Sequence, residues 1–184
     1  MDGVDLSFEG VLMHSRALVA VLACAAVFQG PVALADGPGG AISCGTTPED
    51  RVTSRGETQV RSQSWLDERV PYSQNACHRN AHGDYRTDCS GYVSMAWGLT
   101  HSRTTVTLRE VATGIPHGDL QPGDALANDN HAALFVRWAD EARTEPVVRE
   151  QTGPDGQPPV ERKWTADTAA RYTALRYYKV VEGA

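Results

Sequence analysis

The stretch Asp88-Cys89-Ser90-Gly91-Tyr92-Val93-Ser94-Met95-Ala96-Trp97 sets a cysteine directly behind a residue that favours helix N-caps, at the first turn of an apolar run. Backbone N–H groups and the positive end of a helix dipole favour a thiolate there, and the thiolate is the nucleophilic form of cysteine. His131 opens a second apolar run, Ala132-Ala133-Leu134-Phe135-Val136-Arg137-Trp138. An imidazole is the base such a thiol needs, so the pair could open an amide through a covalent acyl intermediate. As N-cap, Asp88 can accept from the N–H of Ser90 or Gly91, which leaves the Cys89 N–H to face a developing oxyanion. Asp88 also has the plain role of a helix cap, and His131 that of a strand-end histidine.

His131 needs a partner that fixes its tautomer. If strands from His131 to Trp138 and from Glu145 to Gln151 pair around 139–144, residues near 150 come opposite the histidine. Glu150 and Gln151 are both in reach but face opposite sides of the sheet, so one alone can serve. Glu150 is preferred, because a carboxylate stabilises an imidazolium.

These side chains must be positioned by helices that come first and strands that follow. Val60, Trp65 and Leu66 punctuate a helical pattern over Thr58 to Arg69, stopped before Val70-Pro71. A polar loop is expected from Ser73 to Thr87, then the cysteine-bearing helix from Cys89 to about Leu99. Leu120-Gln121-Pro122-Gly123-Asp124 reads as a turn feeding a short strand at Ala125 to Ala127, with Asp124 and Pro122 as turn makers. Further strands are expected at His131 to Trp138, Val147 to Gln151, Val160 to Trp164 and Tyr172 to Val180. The order implies an α+β domain with an antiparallel sheet packed on the cysteine-bearing helix.

The 184 residues carry a formal net charge of −6, without the clustered basic face that nucleic acid requires. Arg16 precedes an apolar run, Ala17 to Phe28, too short to span a bilayer, and Ala33-Leu34-Ala35 offers a cleavage site before Asp36. Residues 1–35 therefore read as a signal peptide whose true start is expected at Met13. Acylation of Cys24 is a competing reading that the continuing apolar run disfavours. Residues 36–53 read as a flexible arm and 54–184 as one domain. A secreted chain without Cys24 keeps Cys44, Cys77 and Cys89, an odd number. One thiol stays unpaired, and its chemistry nominates Cys89; Cys44 and Cys77 either bridge or remain independent. Cys77, His78 and His82 lack a fourth zinc ligand at a recognised spacing, and no phosphate-binding or dinucleotide motif is present, so neither metal nor cofactor is expected.

Pro71-Tyr72, Asp88-Cys89-Ser90-Gly91, Leu120-Gln121-Pro122-Gly123-Asp124 and Asn130-His131 occur in an order and spacing that resemble the NlpC family of papain-like cysteine peptidases. The resemblance covers about Trp65 to Tyr178. It implies a papain-like fold, a nucleophile at Cys89, a base at His131, and a third polar residue at the position of Glu150, where the family more often has histidine or an amide. Tyr72 resembles a family tyrosine whose hydroxyl lies near the nucleophile; ordinary core packing is its alternative role. The glycines that often follow that tyrosine are missing from Ser73-Gln74-Asn75. The function so implied is a secreted, monomeric hydrolase that cuts stem peptides of bacterial peptidoglycan. An amidase or transpeptidase on another amide, or a weakly catalytic binding or effector module, are the alternatives.

Overall fold

The computed structural model describes residues 42–182. The expected signal peptide and the first residues of the expected arm lie outside them. Residues 44–53, also assigned to that arm, are fastened to the domain. Cys44 is bonded to Cys77, Thr47 N donates to Thr100 O (2.9 Å), and Arg51 N donates to Gly98 O (3.0 Å). The folded unit thus begins before Ser54, held by pairings that leave no periodic trace in the sequence.

Strand β1, Thr53–Ser54, leads into helix α1, Arg55–Asp67. α1 starts earlier than its apolar residues suggest because Ser54 and Glu57 form a capping box that satisfies orphan N–H groups of the first turn. Its buried face is mixed, with Thr58, Arg61, Ser62 and Trp65 inward, while Val60 is exposed. Arg61 is accommodated by donating Nη1 to Thr53 Oγ1 (2.9 Å) and Ala96 O (3.3 Å).

The expected polar loop contains a hairpin, β2 (Cys77–Asn80) with β3 (Gly83–Arg86). Its strands have no apolar alternation to reveal them; the disulfide and the buried ends Tyr85 and Arg86 hold it in place. Helix α2, Cys89–Trp97, is buried at every position, which explains an apolar run without a polar face. Gly98, left-handed at φ 70°, ends it before Leu99.

The remaining strands are β4 (Ala112–Ile115), β5 (Ala125–Ala127), β6 (Ala132–Trp138), β7 (Pro146–Glu150), β8 (Val160–Lys163), β9 (Thr173–Tyr177) and β10 (Val180–Val181), with the short helix α3 (Ala166–Ala169) before β9. Six of them form one antiparallel sheet in the order β4-β9-β5-β6-β7-β8, giving an α+β architecture. Ala125, Ala127, Ala132, Leu134, Leu175 and Tyr177 pack with α1 and α2, while Leu126, Ala133, Phe135, Val148 and Ala174 pack with Leu120 and Trp164 on the reverse face. β6 reads as continuously apolar because both faces of its first half are covered. The expected strand from Tyr172 to Val180 divides at Tyr178-Lys179, and its end pairs in parallel with β1. Among the described residues no helix is long and apolar enough to cross a membrane.

Candidate active site

Asp88 starts α2 by accepting the Gly91 N–H on Oδ1 (2.7 Å). Its other oxygen receives Arg86 Nε (2.7 Å), so the charge of Asp88 is matched by a buried guanidinium instead of facing the sulfur. Arg86 also donates to Ser90 Oγ (3.1 Å) and Arg103 O (2.9 Å). A Cβ on Gly91 would stand 1.9 Å from Arg86 O, which is why glycine occupies the third position after Asp88. This turn presents Cys89, a free cysteine 6% exposed, at the first position of α2. A depression of about 270 Å³ opens at it, bounded by Gln74, Asp88, Thr104, Thr105, Asp129 and Asn130.

His131 reaches this cysteine from the lip of β6. Asn128 Oδ1 accepts the N–H groups of Asn130 and His131 (both 2.9 Å), which fixes the approach to the strand. The Cys89 sulfur lies near enough to the imidazole to favour its protonated form. Its Nε2 meets Glu150 Oε2 at 2.5 Å. An ionised carboxylate only accepts, so Nε2 carries the hydrogen and Nδ1 is the nitrogen left for sulfur.

Glu150 arrives through strand pairing. β6 and β7 place Leu134 opposite Arg149, so Glu150 falls on the same face as His131, two residues further along. It is fully buried and receives Arg162 Nε (2.5 Å) and Trp164 Nε1 (3.0 Å) on Oε1. Burial opposes its charge, but the bonds from His131, Arg162 and Trp164 together hold its carboxyl below the usual range. Burial likewise opposes a charged His131, and the bonds and charges of Cys89 and Glu150 outweigh it, raising His131 to about 9. The imidazole is therefore protonated at neutral pH, beside the sulfur.

Gln151 turns the other way. Its Nε2 donates to Val70 O (2.9 Å) and Gln157 O (3.4 Å), tying down the segment that leads to Tyr72. Tyr72 is clasped by the following turn, donating N–H to Gln157 O (2.8 Å) and accepting from Gly156 N (2.9 Å). Its phenol is pushed up by burial and then by the charge of Cys89, so the ring lies within electrostatic range of the sulfur. The hydroxyl accepts from Gln74 Nε2 (3.3 Å) and keeps its own hydrogen to donate.

The structure thus brings together Cys89, His131, Glu150 and Tyr72. Arg86, Arg162, Trp164 and Tyr172 join them without having been singled out from the sequence. Arg162 and Trp164 stand two apart, on the strand face that also carries Val160, but only the pairing of Val148 with Arg162 and Glu150 with Val160 connects them to the site. Tyr172 packs edge-on to His131 at 6.2 Å and against Trp164 at 4.5 Å. Among the described residues, the groups close enough to share a metal ion are Cys44, Cys77 and Asp84, and there the two sulfurs are bonded to each other. His78 Nε2 is engaged by Glu68 Oε2 (2.5 Å).

A scan against protein-family models gives no match, and a search of curated proteins finds no relative of this chain. The functional reading rests on the geometry and on the short motifs.

Proposed function

We propose that this chain is a secreted cysteine hydrolase of the NlpC type, with papain-like use of its helix and sheet, that cleaves amide bonds in stem peptides of bacterial peptidoglycan. The observation that carries this reading is an unpaired Cys89 at a helix N-terminus, near enough to His131 to favour its protonated form, with that imidazole anchored by buried Glu150. Export is supported by the Cys44–Cys77 bond, since such bonds persist in oxidising compartments. The wall substrate comes from the resemblance of the motifs.

In the reaction, Cys89 Sγ attacks the amide carbon, and the carbonyl electrons move to oxygen. The Cys89 N–H, which has no acceptor among the described residues, and the Tyr72 hydroxyl donate to that oxyanion. One such donor contributes about 3 kcal/mol in the transition state. His131 passes its proton to the leaving nitrogen as the C–N bond breaks, leaving a thioester. The neutral imidazole then takes a proton from water as hydroxide adds to the thioester carbonyl. Collapse of that adduct expels the Cys89 thiolate and releases the acid, and His131 is again an imidazolium.

The test is incubation of the processed protein with peptidoglycan, with products read by mass spectrometry beside Cys89→Ala and His131→Ala. New stem-peptide termini in the wild type, absent in both variants, are expected. Products that persist in Cys89→Ala would sink the assignment. Acyl transfer to an added amine in place of hydrolysis would move the protein to the transpeptidase class, and an inert wild type that still binds wall or protein would make it a binding module.

A further inference from the structure

We propose that Arg162 and Trp164 are positioning residues for the Cys89–His131 pair, clamping one oxygen of Glu150 so that its other oxygen holds the imidazole toward the sulfur. The division of labour is explicit in the geometry. Oε1 receives Arg162 Nε at 2.5 Å and Trp164 Nε1 at 3.0 Å, whereas Oε2 receives His131 Nε2 at 2.5 Å. The terminal torsion of a glutamate is broad, so a carboxylate held only by His131 could swing and carry the ring with it. Two donors converging on Oε1 from β8 and the residue after it remove that freedom.

Arg162 is the exception on its strand. Glu161 faces exposed Arg137 and the largely buried Arg149, and Lys163 faces Glu145 at the surface. Arg162, although its side chain is 56% exposed, spends its Nε on a carboxylate that is 1% exposed. Trp164 acts twice, because its indole also lies 6.2 Å from the imidazole and 4.5 Å from Tyr172, which itself stands edge-on to the imidazole at 6.2 Å. The ionisable groups that meet at Glu150 are His131 from the lip of β6, Arg162 from β8 and Tyr172 before β9, with Cys89 of α2 behind the imidazole. Losing either clamp makes the buried Glu150 anion easier to protonate. On acidification the Glu150–His131 ion pair is then broken at a higher pH, and Cys89 loses its anchored partner.

The inference rests on the hydrolase reading for its meaning, but its experiment needs no substrate. The rate of iodoacetamide addition to Cys89, followed by mass spectrometry from pH 4 to pH 10, is compared in wild type, Arg162→Met, Arg162→Lys, Trp164→Phe and Glu150→Gln, with thermal melting alongside. The acid limb of the rate profile should rise by about one pH unit in Arg162→Met and in Trp164→Phe, the size of one hydrogen bond to a charged group. Arg162→Lys should recover most of the wild-type limb. If both variants melt earlier yet keep the wild-type limb, while Glu150→Gln moves it, the two residues are only packing and this proposal fails by itself. A limb unmoved in Glu150→Gln as well overturns the role of Glu150's charge, while the hydrolase reading stands or falls on the peptidoglycan digestion.

Discussion

At the residue scale the decisive group is His131, because its charge depends on partners supplied by two segments far apart in sequence, Cys89 of α2 and Glu150 of β7. Its value of about 9 lies above the ordinary 6.5, so the bound proton stabilises the fold fully below pH 6.5, and that contribution is lost as pH rises through about 9. Each pH unit of such displacement corresponds to about 1.4 kcal/mol, so with partial exposure the loss is on the order of 2 kcal/mol. Urea unfolding at a series of pH values should show this decline in the wild type and a smaller one in Glu150→Gln. Parallel curves for the two proteins would mean that Glu150 does not hold the imidazolium. The kcat/KM for wall peptide should likewise fall on an alkaline limb near pH 9, where His131 loses the proton that the leaving nitrogen requires.

At the scale of elements, the N-terminus of α2 is built by the hairpin that precedes it. Cys77 of β2 pairs with Arg86 of β3, Arg86 holds Asp88, and Asp88 caps the turn that presents Cys89. Asp88→Ala removes the cap and also strands a buried guanidinium, so it should destabilise the domain by about 3 kcal/mol or more. Asp88→Asn keeps an oxygen for Gly91 N–H and should cost about half as much. Chemical denaturation of the two variants distinguishes them, and equal losses would show that the cap on Gly91 contributes little beside the Arg86 pair. Neither the hairpin nor Arg86 was legible in advance: β2 and β3 lack alternation, and a single arginine in a polar run gives no hint that it will be buried.

For the whole molecule, the Cys44–Cys77 bond, spanning 33 residues, ties the segment ahead of β1 to that hairpin. Reduction should lower stability by about 3–4 kcal/mol, the entropy of a closed loop of this length, as measured by melting with and without a reductant that leaves Cys89 unmodified. A melting curve insensitive to reductant would mean that the other ties of residues 44–53 suffice. What the sequence by itself determined were features encoded in short windows: the cap-cysteine-glycine turn, the buried helix behind it, the alternation and apolar runs of β5 to β9, and the hairpin argument that brought residues near 150 to His131. Boundaries set by capping or by φ sign, at Ser54 and Gly98, moved by a few residues. What only the tertiary structure decided were contacts between segments far apart in sequence. These are the choice of Glu150 over Gln151, the pairing of Cys44 with Cys77, the clamp of Arg162 and Trp164, and the edge-on contact of Tyr172 with His131. Each depends on strand register and on the order β4-β9-β5-β6-β7-β8, and a period of two within one strand carries no information about which strand will lie beside it.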